Sequence, residues 1–478
     1  MTTTTAARKS LDWIPDELTF YPHQLEGIRW LAQRSAWLLS DEMGLGKSIQ
    51  ALTVFAIDVQ RGLAEKCLVV CPVSLKGNWA DEIQKNTKFP SHVLDGTPKQ
   101  RERQLAEFAE RDGPRILIVN YEQVIPHHIT LSNMEFDAVI YDEAHWMKNP
   151  KAKRTKACQA LVAPRHYLLT GSPLLNDARD LWSLLHRINP DEFPNYWKFV
   201  QRYCVFGGYE RKQVVAIKNE KELRTKLQAH QLRRLKKDVL DLPDKQYVKI
   251  TVELSPEQRA LYREINEELR LTMPDVPDPM DIENALVKFL RLKQVCGTTA
   301  CFDGYQDTSW KLDRVMDDSL ELLENGHRPV IFTQFRGVQE ALMARFHAAK
   351  VEPYWLNGDT PFAERVPTVN AWAKDDPKPI ICMLQVAGIG LNMTASSHAL
   401  FVDKLFVPKL NEQAEDRLHR IGADATQPVQ IREYITAKTI ESRVEAILRS
   451  KRKVFDALVE TSDFKKKLYQ ALLEEDNE

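Results

Sequence analysis

The sequence predicts an α/β protein of two lobes, each built on a mainly parallel sheet. Three observations carry that prediction. Apolar runs of strand length alternate with helical patterns through the first third of the chain. A similar series recurs in the last third, and a charged, helix-rich middle separates the two. At 478 residues the chain also exceeds what one ordinary core accommodates.

Taken in order, AWLLS (36–40) reads as a strand, DEMGLGKS (41–48) as a Gly-rich turn and SIQALTVFAIDVQ as the helix after it. Buried strands follow at CLVVCP (67–72), ILIVNY (116–121), AVIY (138–141) and YLLT (167–170), where unbroken apolar runs suit strands covered on both faces. The middle carries charged helical patterns such as KELRTKLQAHQLRRLKKDVL (221–240) and PEQRALYREINEELRL (256–271). The Pro- and Asp-rich MPDVPDPMD (273–281) marks an exposed loop there. The second series comprises VIFTQF (330–335), PIICMLQ (379–385), HALFVD (398–403) and VQIREYI (429–435), and the stretch from Thr439 to Glu478 reads as helix with a frayed acidic end. The expected division is a first lobe over 1–240, with a core over about 20–190 and a helical protrusion over about 176–240. A linker and second helical protrusion over 241–310 and a second lobe with terminal helices over 311–478 complete it.

The charge balance, Lys+Arg 66 against Asp+Glu 67 for a net charge of −1, gives no global basic field. Nucleic-acid binding is therefore expected to rest on local patches. The seven cysteines include no C-x-x-C pair, and Cys67 and Cys71 flank apolar residues as buried strand positions do. A reducing compartment and no zinc are expected. No stretch is apolar enough to span a membrane and MTTTTAARKS lacks the apolar centre of a signal peptide, so the expected location is cytoplasmic.

The turn at 41–48 has what a phosphate cradle needs. Gly44 and Gly46 can take the backbone angles that converge successive N–H groups on an anion at the positive end of a helix. Lys47 would reach the β- and γ-phosphates and Ser48 would ligate Mg²⁺. The usual pattern carries glycine where this chain has Asp41, and taken alone the string reads equally as an ordinary helix-capping turn. In DAVIYDEAHWMKN (137–149), Asp142 and Glu143 follow a buried strand, where α/β sheets bind ligands. Asp142 would hold Mg²⁺ and Glu143 would orient or deprotonate water. Alone, the two acids suit a solvated helix start; with His145 and the loop at Lys47 they point to a nucleoside triphosphate. In NEQAEDRLHRIG (411–422), helical spacing would put Gln413, Arg417 and Arg420 on one face, suited to phosphoryl oxygens or to a solvated stripe.

In this order, DEMGLGKS, DEAH, LLTGSP (168–173), VAGIGLN (386–392) and QAEDRLHRIG resemble the motifs of superfamily-2 helicases. LRRLKKDVLDLP (232–243), CPVSLKGNWADEI (71–83) and AGIGLN narrow the resemblance to Snf2-type (SWI2/SNF2) ATPases, over roughly Leu18 to Ile440. The resemblance implies two RecA-like lobes with helical protrusions between them and ATP with Mg²⁺ in a closing cleft. It assigns adenine reading to Gln24, the link from hydrolysis to movement to Thr170 and Ser172, and the arginine fingers of the second lobe to Arg417 and Arg420. It also implies an ATP-dependent translocase on double-stranded DNA, bound through phosphates with weak sequence specificity. Candidate contacts are Lys76, Asn78, Lys148, Asn149, Thr333 and Gln334. The alternatives are a strand-separating or annealing helicase of the same superfamily and a nucleotide-gated scaffold with weak hydrolysis.

The chain departs from the family pattern at Phe406-Val407-Pro408, where WNP is usual, at Ala423 and at Ala387. None of these touches the carboxylates or the lysine, so ATP hydrolysis is expected to be kept. His127-His128 reads as a surface turn, the basic run at 148–157 as a patch that could dock phosphate or a solvated helix face, and SKRKV (450–454) and FKKK (464–467) as decoration of a terminal helix. LRRLKK (232–237) is a similar case that could also bridge the lobes, and the ten tryptophans read as core.

Overall fold

The computed structural model of the chain describes residues 11–171, 178–207, 213–240, 242–272, 279–387, 391–405, 408–420, 422–424 and 427–443. The chain divides into two compact units, Met1–Leu240 and Asp241–Glu478.

The first unit is built on a seven-stranded parallel sheet in the order β3-β4-β2-β5-β6-β1-β9. Its strands are β1 (Ala36–Leu39), β2 (Lys66–Cys71), β3 (Ser91–Val93), β4 (Arg115–Asn120), β5 (Ala138–Tyr141), β6 (Arg165–Leu169) and β9 (Gln231–Leu232). A separate antiparallel hairpin, β7 (Cys204–Gly207) with β8 (Gln213–Ile217), lies within the middle stretch of the sequence. Side chains along each central strand alternate between two cores. Trp37, Leu39, Val69, Ile118, Ile140 and Tyr167 enter one, and Leu38, Val70, Val119, Tyr141 and Leu168 the other. Apolar burial on both faces explains why these strands read as unbroken hydrophobic runs. Because all seven strands run the same way, the turns after β1, β5 and β6 emerge along one edge of the sheet.

The second unit has a six-stranded parallel sheet in the order β10-β15-β14-β11-β13-β12. Its strands are β10 (Lys245–Val252), β11 (Val330–Thr333), β12 (Tyr354–Leu356), β13 (Ile380–Met383), β14 (His398–Phe401) and β15 (Val429–Thr436). The same alternation splits Phe332, Cys382 and Phe401 from Ile331, Ile381 and Leu400. Helices Pro256–Thr272 and Pro279–Gly297 are tied by Gln258 Nε2, which donates to the Val295 carbonyl at 2.7 Å.

Several expectations are corrected. Residues 245–252, assigned to a linker, form an edge strand paired along its full length with β15. None of their apolar positions is fully buried and Tyr247 and Val248 are exposed, so the run lacks the continuous hydrophobicity of a central strand. The short β9 likewise joins the first sheet out of a stretch that reads as helix. Not all tryptophans are core: Trp37, Trp79 and Trp372 are buried, whereas Trp197, Trp310 and Trp355 are exposed. All seven cysteines are free, and all but the half-buried Cys301 are buried. Most of the loop expected at 273–281, Phe406 and Val407 of the WNP-like turn, and the stretch 444–478 lie outside the described residues. Among the described residues no helix is long and apolar enough to cross a membrane.

Candidate nucleotide site

The turn after β1 leads into helix α2 (Lys47–Gln60), which follows helix α1 (Pro22–Ala32) in the chain. Gly44 and Gly46 have φ of 84° and 76°, a region that costs a residue with Cβ about 1 kcal/mol or more. Gly46 is needed for a second reason, because a Cβ there would lie 2.3 Å from Gln24 Nε2. Gln24 is held at both ends: its Oε1 accepts from the Tyr21 amide at 3.1 Å and its Nε2 donates to the Leu45 carbonyl at 3.3 Å. The start of α1 is thereby fastened to the Gly-rich loop. Lys47 and Ser48 open α2 half-buried, and the Lys47 ammonium donates to the carbonyls of Asp41 (2.9 Å) and Glu42 (3.3 Å).

The carboxylates sit at the end of β5. Asp142 is fixed by its amide, which donates to Val70 O at 2.8 Å, and by its own carbonyl, which accepts from Tyr121 OH at 2.8 Å. Its Oδ1 accepts from the Glu143 amide (2.9 Å) and its Oδ2 from Trp79 Nε1 (2.8 Å). Burial and then the neighbouring Glu143 push the Asp142 carboxyl up to about 6, opposed by the Trp79 bond and the Lys47 ammonium. Glu143 adopts a left-handed backbone, φ 47° and ψ 51°, uncommon for a residue with a side chain and worth about 1 kcal/mol or more of strain. Its Oε2 lies 3.1 Å from His145 Nδ1, which is 3.5 Å from Thr170 Oγ1. The turn after β6 reaches the loop as well, since a Cβ on Gly171 would come 3.5 Å from Lys47 Nζ and 2.7 Å from Met43 Cγ. One edge of the first sheet therefore gathers Gln24, Gly44, Gly46, Lys47, Ser48, Asp142, Glu143 and Thr170. Ser172 lies outside the described residues.

Sequence reasoning missed two members of this site. Trp79, on helix α3 (Lys76–Asn86), reads only as an apolar residue, and nothing in its spacing announces a bond to Asp142. The other is Arg234, from LRRLKK, a run that reads as a solvated or phosphate-docking face or as a bridge between lobes. Its guanidinium is about nine-tenths buried and paired with the fully buried Asp41, the residue standing where glycine is usual in a phosphate loop. The mismatch at Asp41 was the available signal, because a buried acid requires a cation.

In the second unit, helix Pro408–Glu415 ends before Arg417, which corrects the expected helix face through Gln413, Arg417 and Arg420. The Arg417 and Leu418 amides bond three residues back, to Ala414 and Glu415 (both 3.1 Å). The Arg417 carbonyl accepts from the Met393 amide (3.0 Å), outside the helical pattern. Glu415 is the anchor: its buried carboxylate accepts from Lys245 (3.1 Å) and Tyr247 (2.8 Å) of β10. Gln413, Arg417 and Arg420 are all half-buried.

Three of the six expected DNA contacts are turned inward. Lys76 is buried and donates to the Leu94 carbonyl at 2.8 Å, which also accepts from Gln123 Nε2 at 3.0 Å. Thr333 and Gln334 are buried against Asp403: Thr333 Oγ1 donates to its Oδ2 at 2.5 Å and the Gln334 amide to its Oδ1 at 3.0 Å. Asn78 and Lys148 are half-buried, with Lys148 3.7 Å from Asp180, and Asn149 is exposed.

The donor set suits a magnesium nucleotide. A glycine cradle, an ammonium, a hydroxyl and a carboxylate whose burial favours a neighbouring cation lie on one sheet edge. The SNF2-related domain family matches residues 23–300, and the helicase conserved C-terminal domain family matches residues 311–422. The chain is 27% identical to human lymphoid-specific helicase, over 93% of this chain and 63% of the relative. It is 30% identical to Protein CHROMATIN REMODELING 5 of Arabidopsis thaliana, over 95% of this chain and 28% of the relative. The chain thus spans less than two thirds of either relative. Among solved structures it is similar to a Sulfolobus solfataricus SWI2/SNF2 ATPase core in complex with dsDNA, at 25% identity and a TM-score of 0.44, covering 96% of each chain.

Proposed function

This chain belongs to the SNF2-related domain family, and we propose that it hydrolyses ATP to drive movement along double-stranded DNA. The observation that carries this reading is the meeting of Lys47, Asp142 and the Cβ-free Gly171 at one sheet edge, beside a loop whose glycines have positive φ. Gln24 reads the adenine, the loop amides at Gly44 and Gly46 cradle phosphate, and Lys47 holds the terminal phosphates. Ser48 and Asp142 would hold Mg²⁺, which when bound neutralises phosphate charge. Glu143, with His145 against its carboxylate, orients the attacking water and takes its proton. Arg417 and Arg420, as arginine fingers, stabilise the charge that develops in transfer. Thr170, reaching toward His145, and Ser172 carry the event toward movement.

DNA is bound through phosphates, with weak sequence preference and strong salt dependence. Lys148, Asn149 and Asn78 are the contacts of choice, while Lys76, Thr333 and Gln334 are buried and brace strand ends of their own units. A reducing, cytoplasmic setting with access to DNA suits the buried free thiols. The test is ATPase activity of the full chain with duplex, forked and single-stranded DNA and with RNA, across salt. Duplex stimulation that Lys47→Ala abolishes is expected. Preference for forked or single-stranded substrates would favour strand separation, negligible turnover a nucleotide-gated scaffold, and full activity of Lys47→Ala would refute the site.

A further inference from the structure

We infer that Arg234 is a positioning residue for the phosphate loop and that it latches the loop to the segment leaving the first unit. The inference rests on the nucleotide-site reading above and extends it to residues 231–236. Asp41 is fully buried, and Arg234 meets it twice through one oxygen: its backbone amide and its Nε each donate to Asp41 Oδ1 at 3.0 Å. Nη2 serves Asp41 Oδ2 and Gln50 Oε1 (2.8 Å), and Nη1 donates to the His23 carbonyl. Gln50 in turn donates to the carbonyls of Leu45 (3.4 Å) and Gly46 (3.2 Å). One guanidinium thus spans the start of the loop, the first turns of α2 and the start of α1. The fit leaves no space, since a Cβ on Gly27 would lie 2.7 Å from Nη2 and 2.0 Å from Gln50 Oε1.

The backbone is laced in the same way. The Ser40 amide donates to Leu232 O (2.8 Å), the Glu42 amide to Arg234 O (3.0 Å), and the Lys236 amide to the Glu42 carboxylate. These bonds continue the pairing of β1 with β9 into the loop. Lys47 rests on the carbonyls of Asp41 and Glu42, the two residues that the latch holds. Residues 231–236 lie just upstream of Asp241, where the second unit begins. Rearrangement of the loop around a triphosphate is therefore transmitted to the exit strand through a rigid, bidentate pair rather than through solvent.

The first test is hydrogen exchange on the full wild-type chain with and without a non-hydrolysable ATP analogue and Mg²⁺. The latch requires the amides of Arg234 and Lys236 to change protection together with residues 41–50. A change at 41–50 with none at 234 and 236 overturns the latch alone, and no change at either overturns the nucleotide reading with it. The second test separates positioning from mere stability. Arg234→Gln leaves a buried carboxylate without its cation and is expected to lower the unfolding temperature, whereas Asp41→Asn/Arg234→Gln removes both charges and restores it. Affinity of the double variant for a fluorescent ATP analogue is expected to stay about tenfold below wild type. Affinity that returns with the unfolding temperature would make the pair a structural ion pair and overturn the inference.

Discussion

The Trp79 indole donates to Asp142 Oδ2 at 2.8 Å, so the carboxylate assigned to Mg²⁺ is aimed by a helix 63 residues upstream. Its other oxygen accepts from the next amide in the chain, which leaves little rotational freedom. Trp79→Phe keeps most of the apolar contact and deletes the N–H. Groups that orient metal ligands are worth about 10- to 100-fold in metal affinity or activity. The Mg²⁺ concentration for half-maximal ATPase is therefore expected to rise about tenfold in Trp79→Phe, while the unfolding temperature moves by only a few degrees. An unchanged Mg²⁺ dependence would show that the indole only packs.

Gly46 joins backbone conformation to the seating of Gln24, the residue proposed to read adenine. Alanine there must adopt φ 76° and place its Cβ 2.3 Å from Gln24 Nε2, so the glutamine has to leave the Leu45 carbonyl. Gly46→Ala is expected to raise the KM for ATP about tenfold by displacing Gln24, while the left-handed penalty of about 1–2 kcal/mol falls on stability. Gln24→Ala in the Gly46→Ala background should then cost little further, because the contact is already lost. Additive losses in the double variant would refute the coupling.

The parts of this molecule legible in its sequence are those governed by local rules. The central strands AVIY and VIFT announced themselves because both their faces are buried, and the loop DEMGLGKS because glycine is written where backbone must turn. Edge strands such as Lys245–Val252 did not, since a half-exposed run carries little hydrophobic signal. The break after Glu415 was hidden because Lys245 and Tyr247, which anchor it, lie far upstream in the chain. Arg234 was hidden for the same reason: a guanidinium in a charged run looks solvated until its acid, Asp41, is found buried beside it. Local pattern thus predicted the central strands and the Gly-rich turn, and long-range ion pairs determined how they are held.

His166 gives the first unit a built-in sensitivity to acid. It lies on β6 with the Arg187 guanidinium 3.0 Å from Nδ1. Burial, and then that positive charge, lower its pKa from 6.5 to about 3. The unfolded chain takes up a proton near pH 6.5 that the folded chain refuses until about 3. Stability is therefore fully present above 6.5 and is lost as the pH falls through that window. The loss between pH 7 and pH 5 is worth about 2 kcal/mol. His166→Gln keeps an acceptor for Arg187 but cannot titrate. Unfolding temperatures measured at the two pH values should differ less in the variant than in wild type, and an equal difference would locate the acid sensitivity elsewhere.

Lys245 and Arg420 allow the second unit's contribution to be divided into scaffold and chemistry. The Glu415 carboxylate is 3% exposed and depends on Lys245, itself held charged by Asp416 and Glu415. The Leu418 and His419 amides bond to the Glu415 carbonyl (both 3.1 Å), so the turn bearing Arg417 and Arg420 is built on that residue. Lys245→Met removes the nearer cation and leaves the buried acid only Lys404, 4.0 Å from its other oxygen, a loss that approaches the roughly 3 kcal/mol of a broken buried pair. It should lower the unfolding temperature and the DNA-stimulated turnover together. Arg420→Ala deletes a half-buried guanidinium beyond the anchor and should slow turnover about 100-fold or more with ATP affinity intact and unfolding unchanged. Turnover in Arg420→Ala equal to wild type would exclude a direct role for its charge. Slowed turnover in Lys245→Met without a lower unfolding temperature would exclude the anchoring role of Glu415.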